Sequence, residues 1–344
     1  MKKIVVLALL ALSLGSCHKN LVEPEKEEIS GVENFDYVWN TIDQKYSFFT
    51  DKNIDWDAIR EEYRPKARTA RTTLELFDVI ADMLFELEDG HVNLSAGFDL
   101  SRNWEWYLNY PQNFNYTVLE RNYWVQDYQI SGPFHNAIID SVGYIYYESF
   151  SDEINESLLN YLILKFNDRR YNSQGIVCKG IIIDVRNNGG GLVNGAELFA
   201  GRFADKKTLV STRLYKNGPG HDDFSKPHDE YIEPVGDERY TKPVVVLTNR
   251  SCYSATNFFA NSMKHFPNVT LMGDSTGGGG GLPINDEMPL GWRFRFSTTK
   301  SFDSEGNNLE FGVAPDIFVN MDSEDEKNGI DTILEEALFF IKNQ

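Results

Sequence analysis

Apolar and polar positions follow two different patterns along the chain, and the change between them falls near residue 141. Beyond it, short and almost wholly apolar runs alternate with amphipathic segments. The apolar runs predict buried strands and the amphipathic segments predict helices. The predicted strands are "VGYIYYESF", "KGIIIDVRNN", "KPVVVLTN" and "VTLMGD", the predicted helices are "NESLLNYLILKFND", "GLVNGAELFAGRF", "SATNFFANSMKHF" and "GIDTILEEALFFIKN", and "WRFRFSTTKSFD" is predicted to form an edge hairpin. Such alternation predicts an α/β core with right-handed crossovers.

The part of the chain before residue 141 is organised differently. Residues 32–95 show helical periodicity and predict an N-terminal helical subdomain. Residues 96–140 are rich in aromatic side chains and strand-like, as in "YTVLERNYWVQDYQI". We therefore expect one compact core over residues 96–344, consisting of this aromatic segment and an α/β portion at 141–344.

The N-terminus has the features of an export signal. Residues 1–17 begin with the basic "MKK", continue with an apolar stretch too short to span a bilayer, and end at "LGSC". This pattern resembles a bacterial lipobox, so we expect Cys17 to be lipidated and to become the new N-terminus; an ordinary signal peptide with a chance cysteine is the alternative. Residues 18–31 are polar and acidic and predict a flexible tether. Because the "HKN" after Cys17 contains no acidic cluster, we expect an outer-membrane anchor that faces the periplasm.

The composition limits the classes of partner and cofactor. The chain has 344 residues, a formal net charge of -19 and no basic stripe, which argues against a nucleic-acid-binding protein. Cys178 and Cys252 lie beside predicted buried strands, so we expect two free core thiols, although an exported protein can pair them. No CxxC or HExxH occurs and the six histidines are scattered, so we expect no metal and no cofactor.

Three glycines follow the predicted strand in "IIIDVRNNGGGLVNGAELF". Gly189, Gly190 and Gly191 can adopt positive φ, which lets another group approach the backbone closely. With a helix N-terminus behind them, their N–H groups would form an anion-binding nest. The stretch matches neither GxGxxG nor GxxxxGK[ST], which disfavours a nucleotide and favours an oxyanion hole. A plain tight turn is the alternative.

Two serines lie at a second strand-to-helix turn, in "VVVLTNRSCYSATNFFA". Ser254 would gain from the helix dipole as its alkoxide or an acyl oxyanion develops, and the N–H of Ala255 would point to the same place. Ser251 is a competing candidate. Simple helix capping is the alternative reading of Ser254.

Taken together, these stretches resemble a known family. "GIIIDVRNNGGG", then "VVVLTNRSCYSATNFFA" and finally "EFGVAPDIFV" occur in the order seen in the tail-specific, or C-terminal processing, serine peptidases. The resemblance covers about residues 141–320 and implies a crotonase-like β/α spiral. It implies that Ser254 is the nucleophile. It also implies an oxyanion hole made by the N–H of Ala255 and by that of Gly189 or Gly190.

The chain departs from the pattern of the many family members that use a lysine base. Those members carry the lysine downstream of the serine in a "GKG" context. Here that position falls in "GDSTGGGGGLP", near Gly279, and no lysine lies between Lys264 and Lys300. A serine–lysine dyad is therefore disfavoured.

The tricorn-like branch uses a histidine from a "DGH" motif and a late glutamate. The resemblance of "LEDGHVNLS" and "LEFGVAPD" to these motifs implies His91 as the base and Glu310 as the orienting carboxylate, with Glu305 and Asp303 as competitors. A neighbouring carboxylate favours a charged imidazole, so we expect the pKa of His91 to lie above about 6.5 and activity to rise near neutral pH.

These inferences predict an exported, lipid-anchored serine endopeptidase that cleaves peptides or unfolded protein segments. Family members often carry a PDZ module that binds substrate C-termini, but residues 96–140 are too few for one, so we expect none. The same fold resembles the retinoid-binding repeats of the interphotoreceptor protein. The alternative is therefore a non-catalytic lipoprotein that binds a ligand or glycan through its aromatic residues, which include Trp104, Trp106, Tyr107 and Trp124.

Overall fold

A computed structural model describes residues 30–102, 105–125 and 128–344. The predicted signal peptide, Cys17, most of the predicted tether, Trp104 and the side chain of Trp106 lie outside the described part. Within it, no helix combines the length and apolar character needed to cross a bilayer.

The helices begin with four that pack together at the N-terminal end of the described chain. In chain order the helices are α1 (Gly31–Lys45), α2 (Phe49–Lys52), α3 (Trp56–Thr69), α4 (Thr73–Phe85), α5 (Tyr116–Val118), α6 (Glu156–Asn167), α7 (Val193–Ala200), α8 (Ala255–Lys264), α9 (Ser323–Lys327) and α10 (Thr332–Lys342). Helix α1 begins inside the predicted tether, because Ser30 and Glu33 form a reciprocal capping box that satisfies its first N–H groups. Asp55 and Thr72 cap α3 and α4, because the side chain of each accepts one backbone N–H of the first helical turn.

The strands form three sheets in the described chain. They are β1 (Asn93–Ser95), β2 (Gln129–Ser131), β3 (Phe134–Ile139), β4 (Val142–Tyr147), β5 (Ile181–Asp184), β6 (Thr208–Tyr215), β7 (His228–Ile232), β8 (Val244–Thr248), β9 (Val269–Gly273), β10 (Pro283–Glu287), β11 (Arg293–Ser297), β12 (Thr299–Asp303) and β13 (Ile317–Phe318). The largest sheet has the order β13-β9-β8-β5-β4-β3-β2. Its strands from β4 to β13 are parallel to one another, whereas β2, β3 and β4 form an antiparallel meander.

Helices cover both faces of the large sheet. Helices α6, α7 and α8 pack on one face in a core that includes Phe199 and Phe259, and α10 packs on the other. A separate core joins α1 to α4 with β1 and β11, where Phe294 and Phe296 are buried. Helices on both faces explain why β5 and β8 are buried along their whole length and are apolar up to their last residues, Asp184 and Thr248. The predicted α/β core and N-terminal helical subdomain are confirmed.

Two local predictions are wrong. The segment "WRFRFSTTKSFD" is not a hairpin, because β11 pairs with β1 and β10 while β12 pairs with β6 in another sheet. Alternation of apolar and polar residues predicts strands but does not identify their partners. The strand-like start of "YTVLERNYWV" is helical instead: Asn115 caps α5 by accepting the N–H of Val118, and a π-helical turn follows at Leu119–Tyr123.

Candidate active site

The loops that follow the parallel strands meet at one edge of the large sheet. Because parallel strands all end on the same side, the segments after β4, β5, β8 and β9 come together there, as ligand sites in open α/β sheets commonly do. At the end of β5, Arg186 forms buried ion pairs with Asp184 at 2.6 Å and with Asp331 at 2.8 Å. This buried cluster fixes the base of the glycine-rich loop on which the site is built.

Ser254 lies in a sharp turn between β8 and α8. Its backbone has φ 58° and ψ -120°, which is a strained conformation for a residue with a side chain. The turn is held because the N–H of Ser254 donates to the carbonyl of Gly278 at 2.9 Å, and the N–H of Tyr253 donates to that of Asn188 at 3.2 Å. The arrangement resembles the strained strand-to-helix turns that expose a nucleophilic serine.

Gly190 allows the glycine-rich loop to lie directly against this turn. Its φ is 100°, and a β-carbon there would lie 2.6 Å from the carbonyl oxygen of Tyr253 and 2.8 Å from the Cβ of Ser254. Only glycine accommodates both the positive φ and this contact.

His91 lies beside Ser254 although the two residues are far apart in sequence. The Nε2 atom of His91 is 2.9 Å from the Oγ of Ser254, which is a hydrogen-bonding distance. His91 follows α4 and precedes β1, so the helical subdomain supplies it while the α/β core supplies Ser254. The Tyr253 ring stacks obliquely on the imidazole, with 4.9 Å between ring centroids. The predicted pair is therefore brought together. Ser251 lines the same cleft, but in the described structure its hydroxyl forms no hydrogen bond with His91.

The carboxylate nearest the imidazole is Asp89, which sequence reasoning missed. Its Oδ1 lies 3.9 Å from the Nδ1 of His91 and accepts the backbone N–H of His91 at 2.7 Å. Its Oδ2 accepts the hydroxyl of Ser297 at 3.1 Å, and that hydroxyl lies 3.5 Å from the same Nδ1. The phenol of Tyr253 also donates to Asp89, at 3.2 Å. Asp89 thus holds three groups around the imidazole in place: the backbone of His91, the Tyr253 phenol and the Ser297 hydroxyl.

Glu310 is buried nearby but does not lie against His91. Its Oε1 pairs with the Nζ of Lys52 at 2.9 Å, and its Oε2 accepts the N–H of Gly280 at 3.0 Å. Burial, which is the largest cause, and the negative charge of Asp89 raise the pKa of Glu310 to about 7, although Lys52 acts to lower it. The described contacts of Glu310 therefore give no support to a direct orienting role, which stays a prediction. The competitors Asp303 and Glu305 lie in an exposed turn that Asp303 stabilises by accepting backbone N–H groups.

The charge state of His91 follows from its burial. Desolvation lowers the pKa of His91 to about 4, with Asp89 opposing the shift and Arg295 and Lys52 adding to it. The expectation that a carboxylate raises this pKa above its usual value is wrong, because loss of hydration outweighs the attraction of Asp89. His91 is therefore neutral at pH 7, as a base that accepts a proton must be.

Two backbone N–H groups near Ser254 are available to an incoming oxygen. Within the described chain, the N–H groups of Gly189 and Ala255 make no hydrogen bond. The N–H of Gly190 instead donates to the side chain of Asn188 at 2.9 Å. Of the two glycines that the sequence leaves open, Gly189 is therefore the one whose N–H remains unbonded in the described structure, and Ala255 supplies a second such N–H.

An open cleft of about 680 Å³ lies in front of these groups. Its lining includes His91, Ser254 and the residues 189–191, together with Tyr107 and Arg295. Its volume is in the range of sites that bind small ligands. Cys178 and Cys252 are buried and are not joined to each other by a disulfide, as predicted, and neither lines the cleft.

Comparison with known families identifies the chain. A model of peptidase family S41 matches residues 141–319, which is more than half of the 344 residues. The chain belongs to peptidase family S41. A model of the tricorn protease C1 domain also matches residues 32–85, which lie within the helical subdomain of this family member.

The curated relatives of this S41 member match over part of their length. It is 28% identical over 162 residues to a carboxy-terminal-processing protease of Bartonella bacilliformis, covering 46% of this chain and 35% of that protein. It is 31% identical over 140 residues to the carboxy-terminal processing protease CtpA of Bacillus subtilis, covering 40% and 28%. The matched region thus spans about a third of these relatives.

Two solved structures are similar in fold to this chain over more than nine-tenths of its length. A putative peptidase from Parabacteroides merdae is 41% identical to this S41 member, with a TM-score of 0.83 over 91% of this chain and 96% of that one. Mature CPAF is 13% identical, with a TM-score of 0.69 over 92% and 98%, and so shows likeness of fold alone.

Proposed function

We propose that this chain is a serine endopeptidase in which Ser254 is the nucleophile and His91 the general base. The observation that carries the proposal is the 2.9 Å contact between the Oγ of Ser254 and the Nε2 of His91 at the wall of an open cleft. Membership of peptidase family S41 and the strained turn at Ser254 support it. A non-catalytic binding protein would have no need to hold a neutral imidazole against a strained serine.

In the proposed reaction, the Oγ of Ser254 attacks the carbonyl carbon of a peptide bond while its proton passes to the Nε2 of His91. The carbonyl oxygen becomes an oxyanion held by the N–H groups of Gly189 and Ala255. The tetrahedral intermediate then breaks its C–N bond, and His91 gives the proton to the leaving amine. In the second half of the reaction, water gives a proton to His91 and attacks the carbonyl carbon of the acyl-enzyme. The C–O bond to Ser254 then breaks, the Oγ takes the proton back from His91, and the acid product leaves.

Asp89 is the carboxylate that we propose orients the base. It accepts the backbone N–H of His91 and the hydroxyl of Ser297, which fixes the position of the ring. At 3.9 Å from the Nδ1, its charge would also stabilise the imidazolium that forms in the transition state. Glu310 would act at longer range, with its charge balanced by Lys52.

We further propose that the enzyme is exported and anchored through lipid on Cys17, with its substrate a peptide or an unfolded protein segment in the periplasm. The support is the signal-like residues 1–17, which end at "LGSC". The stretch from Cys17 to Ser30 would let the first helix lie at most about 45 Å from the lipid. Replacement of Cys17 by Ser should release the protein from the membrane fraction or leave it unprocessed; unchanged membrane partitioning would contradict the anchor.

Peptide hydrolysis by three forms of the protein tests the catalytic proposal. Ser254→Ala should abolish turnover, a loss on the order of 10⁶-fold when a nucleophile is removed. Ser251→Ala is the matched control, because it removes a hydroxyl from the same cleft without touching His91, and it should retain most activity. If Ser251→Ala is inactive and Ser254→Ala is active, the assignment is wrong.

A further inference from the structure

The cleft in front of Ser254 contains an arginine that the proposed mechanism does not use. Arg295 is partly buried and lines the cleft together with His91 and Ser254. Since His91 is neutral at pH 7, Arg295 is the one charged side chain among the described residues that line this cleft. The contrast with the whole chain is sharp, because Asp and Glu number 52 against 33 Lys and Arg.

Strand register places Arg295 close to the reacting groups. On β11 it pairs with Asn93 of β1, two residues beyond His91. It also lies two residues before Ser297, whose hydroxyl contacts both Asp89 and the His91 ring. Residues two apart on a strand point to the same face and lie about 7 Å apart. The side chain of Arg295 therefore points to the same face of β11 as that of Ser297 and lines the cleft. The side chains of the adjacent Phe294 and Phe296 are buried in the helical core.

The guanidinium of Arg295 is not paired with any side chain in the part of the chain that the structure describes. It makes no ion pair and no side-chain hydrogen bond with the described residues, whereas the buried Arg186 is paired with Asp184 and Asp331 and the buried Arg213 with Glu230. Partial burial lowers the pKa of Arg295, with the charge of Asp89 opposing the shift. A half-desolvated guanidinium that presents its donors to an open cleft is well suited to bind a carboxylate, because that pairing can be bidentate and charge-assisted.

Resting on the proposed peptidase function, we propose that Arg295 forms a subsite that binds a carboxylate carried by the substrate peptide. Two groups on a peptide have this chemistry: the terminal α-carboxylate and an Asp or Glu side chain near the scissile bond. Both present two oxygens to a guanidinium.

The experiment compares kcat/KM for pairs of internally quenched peptides. In one arm the peptides differ only by a free or amidated C-terminus, and in the other only by Glu or Gln at each position flanking the scissile bond. Each pair is measured with wild type, Arg295→Gln, Arg295→Lys and Arg293→Gln. Arg293 is the matched control, since it lies on the same strand with its side chain 72% exposed and paired with Glu287 outside the cleft.

Wild type should prefer the carboxylate peptide of one arm by about 10- to 100-fold, the range for a hydrogen-bonded charged pair. Arg295→Gln should bring that ratio close to unity, Arg295→Lys should restore part of it, and Arg293→Gln should leave it as in wild type. The arm that shows the preference identifies the carboxylate. A wild-type ratio near unity in both arms, or a ratio that survives Arg295→Gln, would overturn the proposal.

A binding measurement separates this proposal from that of peptidase activity. The same peptide pairs are titrated against Ser254→Ala with and without Arg295→Gln. Hydrolysis without carboxylate discrimination would overturn the subsite and leave the peptidase proposal standing. Tighter binding of the carboxylate peptide that depends on Arg295, with no hydrolysis by wild type, would support the subsite and overturn the peptidase proposal.

Discussion

The two buried carboxylates near His91 should differ in their effect on catalysis. Asp89→Asn and Glu310→Gln make the same chemical change, a carboxylate to its amide, at two sites that differ in distance from the imidazole. Asp89 lies 3.9 Å from the Nδ1 of His91, whereas Glu310 is paired with Lys52 at 2.9 Å. The substitutions therefore distinguish the carboxylate that geometry favours from the one that family resemblance implies.

The magnitude follows from the distance. Two unit charges 3.9 Å apart attract by about 4 kcal/mol at an effective dielectric constant of about 20. This attraction exists only once His91 is protonated in the transition state, so its loss should lower kcat by up to about 1,000-fold. Glu310→Gln should cost less than about tenfold, because Glu310 is not among the charged groups that shift the pKa of His91, whereas Asp89 is.

The assay is kcat at saturating peptide, with circular dichroism to establish that each variant is folded. A second readout is the acid limb of the kcat/KM profile. Loss of the Asp89 charge should move that limb to lower pH, because Asp89 opposes the burial that lowers the pKa of His91. A larger loss of kcat in Glu310→Gln than in Asp89→Asn would refute this reasoning.

Three further outcomes are expected. In wild type, kcat/KM should fall only as the pH drops toward about 4, the pKa to which burial lowers His91; a pH–rate profile with a limb near 7 that disappears in His91→Ala would contradict this. Lys52→Met leaves the Glu310 carboxylate buried without its cation and should lower the free energy of unfolding by about 3–5 kcal/mol at high pH, as measured in urea. The loss should shrink as the pH falls, because burial raises the pKa of Glu310 to about 7 even with Lys52 present, removal of Lys52 raises it further, and protonation then removes the buried charge; equal destabilisation at pH 5 and pH 9, or none, would count against the pair. Gly190→Ala should lower kcat with a smaller effect on KM, because a β-carbon would lie 2.6 Å from the carbonyl oxygen of Tyr253 and displace the nucleophile turn; wild-type kinetics would show that the loop can move aside.

The sequence predicts the parts of the site that short motifs carry. Ser254, Ala255 and the glycine-rich loop each follow an apolar strand, and the carboxyl ends of parallel strands converge, so their proximity follows from the α/β pattern. His91 could be identified as the base only through the family resemblance. Nothing in the periodicity of the helical subdomain indicates that its last loop reaches the α/β core.

The remaining groups depend on contacts that local sequence does not encode. Asp89 stands in "EDGH", two residues before His91, and this short separation is the one feature of the sequence that could have indicated its role. An acidic residue in a loop is usually solvated, however, so its burial against the imidazole does not follow from the sequence. Lys52 and Glu310 form an ion pair although they are more than 250 residues apart in sequence, and they lie beside different hydrophobic cores, which contain Phe49 and Leu309 respectively. Arg295 lies in a segment whose alternation predicts a strand, yet the identity of its partner strand, and so the cleft that it faces, is set by tertiary pairing.

The central claim, that Ser254 is a nucleophile activated by His91, is tested most directly by mapping the site and rate of fluorophosphonate labelling. Mass spectrometry of the digested adduct should place the label on Ser254 in wild type, and His91→Ala should slow labelling by on the order of 10²–10⁴-fold, as expected when a general base is lost. A label on Ser251, or an unchanged rate in His91→Ala, would contradict the claim.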